Sequence, residues 1–576
     1  MCDERAASGL PHCPKRTCHG GRPPCDAQGV TEFDFIIVGG GSAGCVLANR
    51  LSQTGMHSVL LLEAGGSDQR LWLKMPIGYG KSFYDPRVNW MYRTAPDPQL
   101  AGREGYWPRG KVLGGSSSIN AMVFVRGQPS DFDEWAALGN TGWGWRDVLP
   151  WFRKLEDSEL GPTALRGTGG PLHVTDVRAA AHPMCKVWLE AGQQAGLPLN
   201  DDLNGETCEG VGTYQITTRS GLRESASTAW LRPAMARPNL TVRTGAQVLR
   251  VLFEGKAAVG VQYLQDGHIN EARARREVIL SGGAVNSPQL LMLSGVGPGA
   301  QLQTLGIPVV ADSPAVGHHL QDHLCIDHLY RSRVPTLNNQ LGSWHGKLGV
   351  ALQYLAGRRG PLALSVNQGG GFARSRPGLA QPNLQLYFSP LSYLRARPGK
   401  RELMRPDTYP GFLLGAQPCK PASRGHIALG SADPLAAPVI TANSLATPQD
   451  RQDMLEASLF LRRLAATPAF SAVIAHELFP GAAVQSDDAL LADIRLRAST
   501  VFHPVGTCRM GPQAGDAVLN PRLQVHGLQR LRVIDASAFP TLTSGNTNAP
   551  VLMLAEKGAA LVLEDHLPGT HAGALP

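Results

Sequence analysis

The sequence predicts an α/β protein in which a discontinuous nucleotide-binding domain is joined to a second, α+β domain built on an antiparallel sheet. A strand–glycine–helix–strand pattern begins at residue 33, and further strand-like stretches that could return to the same sheet occur much later. Residues 325–500 carry fewer glycine motifs, and we expect them to cover a substrate. A chain of 576 residues is long enough for two or more domains.

The opening element is the segment FDFIIVGGGSAGCVLANRLS, residues 33–52. Gly39, Gly41 and Gly44 have the spacing G-x-G-x-x-G, which permits a tight turn, close approach of the backbone to a pyrophosphate, and packing of the next helix on the strand. The following strand, VLLLE, ends at Glu63, 19 residues after Gly44, where an acid commonly binds a ribose hydroxyl. The pattern predicts a Rossmann-like dinucleotide site and leaves NAD and FAD open.

Later elements return to this domain. Residues 239–264 alternate apolar and polar side chains and predict strands with a turn at Glu254–Gly255. The segment REVIL (276–280) predicts another strand. LQRLRVIDASAFP (528–540) predicts a strand that returns to the same sheet, and NAPVLMLAEKGAALVLED (548–565) predicts a closing helix. We therefore expect a disordered tail over 1–30, a nucleotide domain over 31–155, 231–324 and 499–566, a substrate domain over 156–230 and 325–498, and a C-terminal tail over 567–576.

Composition excludes several classes of protein. The net charge is +8, but acids and bases are mixed along the chain, so no nucleic-acid groove is expected. No run of about 18 apolar residues occurs, so no transmembrane segment is expected, whereas peripheral contact with a membrane stays open. Nothing in the cysteine pattern demands disulfides, which favours a reducing compartment. We therefore expect a cytoplasmic protein, and a position at the periphery of the inner membrane stays open.

The first 30 residues differ from the rest of the chain. They hold four of the ten cysteines, Cys2, Cys13, Cys18 and Cys25, with no apolar segment that would mark a secretory signal. The spacing is a poor match to C-x2-C zinc knuckles, so a tail is favoured over a metal site, and no metal is expected.

Five further segments, in order, resemble the glucose–methanol–choline (GMC) oxidoreductases, which bind FAD. GKVLGGSSSINAMVFVRGQPSDFD (110–133) and GAVNSPQLLMLSGVG (283–297) match the two family signatures. VGHHLQDH (316–323), HPVGTCRMG (503–511) and GNTNAP (545–550) resemble the family's other characteristic segments. The resemblance covers about residues 33–566 and implies FAD as the cofactor.

The resemblance also implies roles for individual residues. The pyrophosphate would lie on Gly39, Gly41, Ser42, Ala43 and Gly44, the adenosine ribose on Glu63, and the adenine on the backbone of Val248. The pyrophosphate and flavin would be lined by Arg109, Gly110, Val112, Gly115, Ser116 and Asn120, and the ribityl and flavin side closed by Asp535, Ala536, Asn546 and Thr547. Gly115 could instead only turn the chain, and Asp535 only cap the next segment.

One position predicts how the flavin is held. Some choline-oxidising relatives attach the flavin covalently through a His that directly precedes the equivalent of Asn120. Ile119 occupies that position here and cannot form the bond. The resemblance therefore implies non-covalent FAD.

Alcohol oxidation requires a base for the hydroxyl proton and an acceptor for the hydride. Histidine is suited to be the base, since its unperturbed pKa of about 6.5 leaves it mostly neutral at physiological pH. His503 opens HPVGTCRMG, where the family has its base. Asn548, in GNTNAP, is expected to hold the alcohol oxygen through its amide N–H.

These residues predict FAD-dependent oxidation of a primary alcohol, choline-like or aliphatic or aromatic, to the aldehyde. A quinone-type acceptor is expected from the overall resemblance to alcohol and choline dehydrogenases. An oxidase that releases hydrogen peroxide is an open alternative, and so is a non-redox lyase or photodecarboxylase-like member. A nicotinamide dehydrogenase is disfavoured by the two FAD signatures, and a binding module by the base beside the cofactor. The sequence does not reveal the oligomeric state.

Overall fold

The fold is taken from a computed structural model that describes residues 31–394 and 405–567. The expected N-terminal tail, with its four cysteines, lies outside the described residues. The same is true of all but the first residue of the expected C-terminal tail. Within the described ranges no helix is both long enough and apolar enough to cross a bilayer.

Two large sheets and a set of longer helices make up most of the described chain. The strands of the large sheets are β1 Thr31–Val38, β2 Val59–Glu63, β3 Gly210–Thr213, β4 Leu240–Thr244, β5 Gln247–Glu254, β6 Ala257–Gln265, β7 His268–Leu280, β8 Leu324–Ser332, β9 Gly369–Ala373, β10 Leu384–Ser389, β11 Gly411–Pro418, β12 Ile474–Phe479, β13 Ser499–Thr500 and β14 Leu531–Val533. The longer helices are α1 Ser42–Ser52, α2 Pro129–Ala137, α3 Trp145–Leu155, α4 Met184–Gln194, α5 Gly283–Leu293, α6 Trp344–Gly357, α7 Pro448–Ala465, α8 Asp487–Arg497 and α9 Asn548–Asp565.

Short elements connect these. The short helices are Leu71–Lys74, Tyr79–Ser82, Arg232–Ala234, Gly299–Thr304, Leu337–Gly342 and Pro468–Val473. Short strands pair as Tyr92–Arg93 with Tyr106–Trp107, Glu156–Ser158 with Leu172–Val174, Thr218–Arg219 with Leu222–Arg223, Val296–Gly297 with Ala311–Asp312, Tyr393–Leu394 with Arg405–Pro406, and His426–Ala428 with Val439–Thr441.

The first sheet, which we call the nucleotide sheet, has the order β4-β2-β1-β7-β6-β5, with β14 also paired to β7. The pairs among β4, β2, β1, β7 and β14 are parallel, and β5, β6 and β7 are joined by antiparallel pairs. Both faces of the parallel part are covered, which explains why β2 is buried throughout and is a continuous apolar run except for its final Glu63. Strands from three separate stretches of chain meet here, so the domain is discontinuous, as predicted.

Helix α1 follows β1 directly and packs against α9, the last helix of the described chain. Nine of the 11 residues of α1 are buried, because the helix lies between the sheet and α9. The side of α9 that meets α1 is apolar except for Glu556, which pairs with Arg50 of α1, and both helices begin beside the glycine turn. The return of the chain terminus therefore completes the wall around the nucleotide site.

The second sheet, which we call the substrate sheet, has the order β12-β8-β11-β10-β9-β3, and β13 also pairs with β8. All of these pairs are antiparallel. Helices α4 and α7 pack on it around a separate apolar core that includes Trp188, Phe388 and Phe412. The expected α+β substrate domain on an antiparallel sheet is confirmed, while its exact boundaries stay a prediction.

Candidate functional site

A cavity of about 880 Å³ extends along the inner edges of both sheets. Its wall includes the glycine turn after β1, the segment from Arg109 to Val123, the start of α5, the segment from Ser499 to Pro504, and the residues that precede α9. The volume lies in the range of sites for cofactors and their substrates. We describe its nucleotide end first and its His503 end afterwards.

The glycine turn has its shape for two different reasons. A Cβ on Gly44 would lie 1.9 Å from the carbonyl oxygen of Gly39, so only glycine lets α1 approach β1 this closely. A Cβ on Gly41 would meet no protein atom closer than 3.8 Å, so the packing of the chain does not require a glycine there. Gly41 faces the cavity, where the missing side chain leaves a cradle at the N-terminus of α1 for an anionic group.

Glu63 ends β2 and is buried beside this turn. One carboxylate oxygen accepts the N–H of Gly40 at 2.8 Å and the other accepts the N–H of Gly65 at 2.7 Å. Burial raises the pKa of Glu63 to about 7, although these two bonds act to lower it. The carboxyl group therefore fastens the glycine turn to the end of β2 and also lines the cavity.

The second predicted loop also lies on the cavity, with one exception. Arg109, Gly110, Gly115, Ser116 and Asn120 all line it. Val112 does not, and its side chain is fully buried in a small apolar cluster with Leu73, Val88 and Ile119. The expectation that Val112 lines the cofactor site is therefore wrong for its side chain, because the loop turns that residue inward to pack.

Asp535 lines the cavity, but all of its acceptor capacity is directed into the protein. One oxygen accepts from the backbone N–H and the hydroxyl of Ser537, at 2.8 and 2.6 Å. The other accepts from the N–H of Gly283 at 2.8 Å and the hydroxyl of Ser287 at 2.6 Å. Asp535 thus ties the end of β14 to the start of α5, which agrees with the capping interpretation left open by the sequence.

The remaining predicted cofactor residues fall on the cavity. Besides those named above, its lining includes Gly39, Gly41, Ser42, Ala43, Val248, Ala536, Asn546 and Thr547. Gly44 is absent from the lining, since it lies at the contact between α1 and β1. The structure therefore brings together residues that are up to five hundred positions apart in sequence.

The backbone at His503 is held in an uncommon conformation. Phe502 has φ +71°, in the left-handed region that a bulky side chain rarely adopts. Its N–H donates to the Thr500 hydroxyl at 2.8 Å, and its carbonyl accepts from the Arg109 guanidinium at 2.7 Å. The N–H of His503 donates to Asp322 at 2.7 Å, and Thr500 donates to the same carboxylate. These contacts fix the direction in which the imidazole leaves the chain.

The ring of His503 contacts a second histidine. The Nδ1 atoms of His503 and His323 are 3.0 Å apart, and Nε2 of His323 lies 2.9 Å from the carbonyl oxygen of Cys419. A carbonyl can only accept, so Nε2 of His323 carries the proton and donates it. In a neutral His323, Nδ1 must then accept the N–H of His503 Nδ1. This assignment leaves the lone pair of His503 on Nε2.

Charges and burial keep both rings neutral. Burial lowers the pKa of His323 to about 4, although its bond to Cys419 acts to raise it. Burial also lowers the pKa of His503 well below its usual 6.5, and the positive charges of His323, when protonated, and Arg109 lower it further. Burial lowers the pKa of Arg109 to about 10, so this guanidinium is still charged at neutral pH.

Asn546, and not Asn548, is the amide beside His503. The side-chain nitrogen of Asn546 lies 3.1 Å from Nε2 of His503. Asn548 is the first residue of α9, and its side-chain oxygen accepts from the hydroxyl of Ser42, at the start of α1, at 3.0 Å. The expected pairing of Asn548 with His503 is therefore wrong. Asn546 still belongs to the extended segment that reaches His503, whereas the start of the helix two residues later turns Asn548 towards the glycine turn.

The substrate sheet sets the orientation of Asn546. Its side-chain oxygen accepts from the amide nitrogen of Gln385 at 3.1 Å, so its nitrogen must be the atom that donates to His503. The oxygen of Gln385 in turn accepts from the Tyr387 hydroxyl and the Gln417 amide, both at 2.9 Å. Strands β10 and β11 therefore define which way the amide at the site points.

Strands β8, β10 and β11 supply the wall of the cavity on the substrate-sheet side. This wall is mainly apolar and aromatic and includes Leu324, Cys325, Leu329, Tyr387 and Leu413. It also contains the carboxylate of Asp327, to which the Cys325 thiol donates at 3.5 Å. Such a wall suits an organic molecule with one polar end.

The cavity fits FAD by the chemistry of its own residues. The Gly41 cradle and the N-terminus of α1 suit a pyrophosphate, and Glu63 lies beside them for a ribose. Val248, on β5, lies in the cavity wall, Arg109 lies beside His503 through its bond to the Phe502 carbonyl, and Asn120 also lines the cavity. Within residues 31–394 and 405–567, no group of His, Cys, Asp and Glu is placed to hold a metal ion.

Sequence reasoning missed three residues that shape the site. His323 and Asp322 lie in the quoted segment VGHHLQDH, so the signal was present, but no role was assigned to either side chain. Gln385 carries no motif, and only the pairing of the substrate strands shows that it reaches Asn546. None of the three could be assigned a contact from spacing alone.

Comparisons with known proteins agree with this geometry. Two family models, both described as GMC oxidoreductase, match residues 33–325 and 421–555. An alcohol dehydrogenase [acceptor] of Pseudomonas putida is 43% identical over 92% of this chain and 96% of its own. A mitochondrial choline dehydrogenase of Mus musculus is 41% identical over 94% of this chain and 91% of its own.

Solved structures are similar over nearly the whole chain as well. A pyridoxine 4-oxidase from Mesorbium loti superposes with a TM-score of 0.84 at 32% identity, over 93% of this chain and 100% of its own. A formate oxidase superposes with a TM-score of 0.87 at 27% identity, over 94% of this chain and 99% of its own.

Proposed function

The chain belongs to the GMC oxidoreductases, and from that premise we propose that it is an FAD-dependent enzyme that oxidises a primary alcohol to the aldehyde, with His503 as the base. One observation carries the proposal. His503 is a neutral imidazole on the cavity wall that donates from Nδ1 to His323, so its lone pair lies on Nε2. There it accepts from the Asn546 amide, and a substrate hydroxyl can take the place of this contact. The names of the similar proteins, alcohol and choline dehydrogenases, support the same class of reaction.

In this proposal the hydroxyl proton of the alcohol passes to Nε2 of His503. General-base assistance of this kind typically contributes about 10²–10⁴ in rate. The contact between Nδ1 and His323 holds the ring in the tautomer that can accept, and Asp322 holds the backbone that carries the ring. His323 and Asp322 are therefore positioning residues.

We propose Asn546 as the group that holds the alcohol oxygen. Its amide nitrogen lies 3.1 Å from Nε2 of His503, so a hydroxyl that displaces this contact can donate to His503 and accept from Asn546. The N–H bond strengthens as negative charge develops on that oxygen. Asn548 also lines the cavity, but we do not assign this step to it, because its side-chain oxygen accepts from Ser42 at the glycine turn and Asn546 is the amide beside Nε2 of His503.

When bound, FAD supplies the acceptor for the hydride that leaves the carbinol carbon. The glycine turn and α1 would hold its pyrophosphate, Glu63 its adenosine ribose, and the backbone at Val248 its adenine. The flavin side would be lined by Arg109, Gly110, Gly115, Ser116, Asn120, Ala536, Asn546 and Thr547. We propose that the attachment is non-covalent, since Ile119 lies on the cavity wall where an attaching histidine would be.

The substrate is proposed to be a primary alcohol with an apolar or choline-like remainder. The apolar wall of the cavity supports an aliphatic or aromatic alcohol. Tyr387 and Asp327 on the same wall are the kinds of group that bind a quaternary ammonium, so a choline-like alcohol stays within the proposal. We propose a quinone-type electron acceptor; the name of the Pseudomonas relative specifies an acceptor but not its kind.

The proposal is tested with purified flavin-loaded protein. Choline and a series of primary alcohols are supplied with a quinone or a redox dye, and aldehyde and peroxide are both measured. We expect aldehyde formation that depends on the added acceptor and that falls by about 10²–10⁴ in His503→Ala. Peroxide formed in step with aldehyde, with no gain from dye, would instead favour an oxidase, and full activity in His503→Ala would reject the proposed base.

A further inference from the structure

Helix α6 has apolar side chains on two separate faces. Val350 and Tyr354 are buried against the protein. Trp344, Leu348, Leu352 and Leu355 are instead 67%, 52%, 58% and 80% exposed. Large apolar side chains exposed singly are ordinary, but four on one helix need an explanation.

The four exposed side chains form a single stripe, which we call the outer stripe. They follow one another at intervals of four, four and three residues, which places them within about 80° of arc at roughly 100° per residue. The buried Val350 and Tyr354 lie well away from this arc. The helix therefore has two apolar faces, one that packs on the protein and one that faces outward.

The charges on helix α6 and directly after it all have one sign. Lys347, Arg358 and Arg359 are exposed, and no acidic side chain of the described residues forms a salt bridge with them. One acid, Glu159, lines a shallow surface pocket together with Leu355, Arg358 and Arg359, so the cations outnumber it three to one. Helix α6 itself contains no acid, and the sequence has no Asp or Glu between Asp327 and Glu402. An apolar stripe with basic residues beside it is typical of helices that lie in the surface of an anionic membrane.

Two other occupants fit less well. A second copy of the chain would bring the same cations face to face, at a cost that no acid on the helix offsets. A protein partner would have to present an apolar groove with acidic residues around it. No other feature of the described residues points to such a partner. An anionic lipid surface satisfies both halves of the pattern, because the headgroups attract Lys and Arg and the boundary with the acyl chains accepts Trp and Leu.

We propose that helix α6 docks the protein on an anionic lipid surface, with Trp344, Leu348, Leu352 and Leu355 entering the boundary between headgroups and acyl chains. Lys347, Arg358 and Arg359 contact the lipid phosphates. The docking itself does not depend on the proposed activity.

The position of the helix gives docking a consequence for the site. Val350, on the inner face of α6, belongs to the same apolar cluster as Tyr79, Met122 and Val366, which also line the cavity. A membrane bound to the outer stripe would therefore lie against the element that covers this part of the cavity. If the proposed function holds, an apolar alcohol or a membrane quinone could reach the site from the lipid.

The experiment is vesicle co-sedimentation of the full-length, flavin-loaded protein. One set of vesicles contains phosphatidylcholine with a minority of phosphatidylglycerol, and the other contains phosphatidylcholine alone. The stripe variant is Leu352→Ser with Leu355→Ser, and its control is Leu199→Ser with Ile269→Ser, which removes two apolar side chains that are also more than half exposed but lie elsewhere. The charge variant is Lys347→Gln with Arg359→Gln, and its control is Arg146→Gln with Lys186→Gln, both exposed.

We expect the wild type and both controls to bind the anionic vesicles and to bind neutral vesicles weakly. The stripe variant should lose affinity by about tenfold or more for each leucine. The charge variant should lose about fivefold for each cation. Flavin content and dye-linked turnover in solution should be unchanged in all four variants.

Three results would overturn the proposal. The first is a wild type that binds neither kind of vesicle, and the second is a stripe variant that binds as well as its control. The third is a wild type that is dimeric in solution while the stripe variant is monomeric, which would assign the stripe to a second copy of the chain. Vesicle binding without alcohol oxidation would leave docking intact and reject only the proposed function, so the two fail separately.

Discussion

His503 owes its chemical form to the residues that surround it. His323 accepts a hydrogen bond from Nδ1 of His503, and Asp322 accepts one from its backbone N–H. The amide of Asn546 faces Nε2 of His503. Arg109 fixes the preceding carbonyl and adds a positive charge nearby. Together these groups favour a neutral ring whose lone pair lies on Nε2, and a neutral ring with a lone pair towards the substrate is what a general base requires.

The pH profile should reflect this environment. A base is active when neutral, and a lowered pKa keeps His503 neutral to lower pH, so the acidic limb of kcat/KM should lie below pH 6.5. The measurement is kcat/KM against pH with a fixed alcohol and dye, with flavin absorbance checked at each pH. An acidic limb at or above pH 6.5 would show that His503 is not held in the way described.

The two asparagines should fail differently. Asn546→Ala removes a hydrogen bond to developing charge, so turnover should fall by about 10²–10³ while flavin stays bound. Asn548→Ala breaks the bond to Ser42 at the start of α1, so flavin retention should weaken while the turnover of the loaded enzyme changes little. Turnover per bound flavin is compared in both variants. The opposite pattern would return the catalytic role to Asn548.

The glycine turn between β1 and α1 combines two requirements in one short element. Gly44 is needed for the packing of helix on strand, because a side chain there would collide with the Gly39 carbonyl. Gly41 is not needed for packing and has an ordinary φ of −77°. The same motif therefore contains one glycine for the fold and one for the bound group.

Substitution should separate these two roles. Gly41→Ala should leave the flavin-free protein about as stable as the wild type but reduce FAD affinity, because the methyl group enters the cradle. Gly44→Ala should destabilise the flavin-free protein by about 1–3 kcal/mol or more, as overpacking does. Urea unfolding of the apo-proteins and FAD titration measure the two effects. Equal loss of stability in both variants would mean that the cradle is part of the packing.

At the scale of the whole molecule, the cavity depends on both sheets. The nucleotide sheet supplies the glycine turn, Glu63 and Val248, and the substrate sheet orients Asn546 through Gln385. The closing helix α9 adds the wall beside α1. A ligand that fills this cavity contacts parts of the chain from Val38 to Val551.

Removal of FAD should therefore affect the stability of the whole protein. Acid precipitation should release the flavin into the supernatant, since Ile119 cannot hold it covalently. When FAD is added back to apo-protein prepared under mild conditions, Tm should rise with FAD concentration. The reason is that binding stabilises the folded state, by about 2.7 kcal/mol at an FAD concentration of 100 times Kd. Flavin that stays with the acid pellet would reject non-covalent binding, and an unchanged Tm would reject a cavity shared by both sheets.

The sequence by itself determined the family, and it picked out the glycine turn and His503, which the structure places on one cavity. Gly39, Gly41, Gly44 and Glu63 could be found because local spacing sets a turn and the start of a helix. His503 could be found because it opens a recognisable segment. These features depend on short stretches of chain, whose conformation is set largely by their own residues.

Only the tertiary structure decided which side chains meet. It showed that Asn546 and not Asn548 faces His503, that Val112 packs inward, and that His323 sets the tautomer of His503. The contact of Gln385 with Asn546 joins strand β10 to a segment 161 residues away. Such contacts depend on where a helix begins and on how two sheets are placed against each other, and the spacing of residues along the chain does not contain that information.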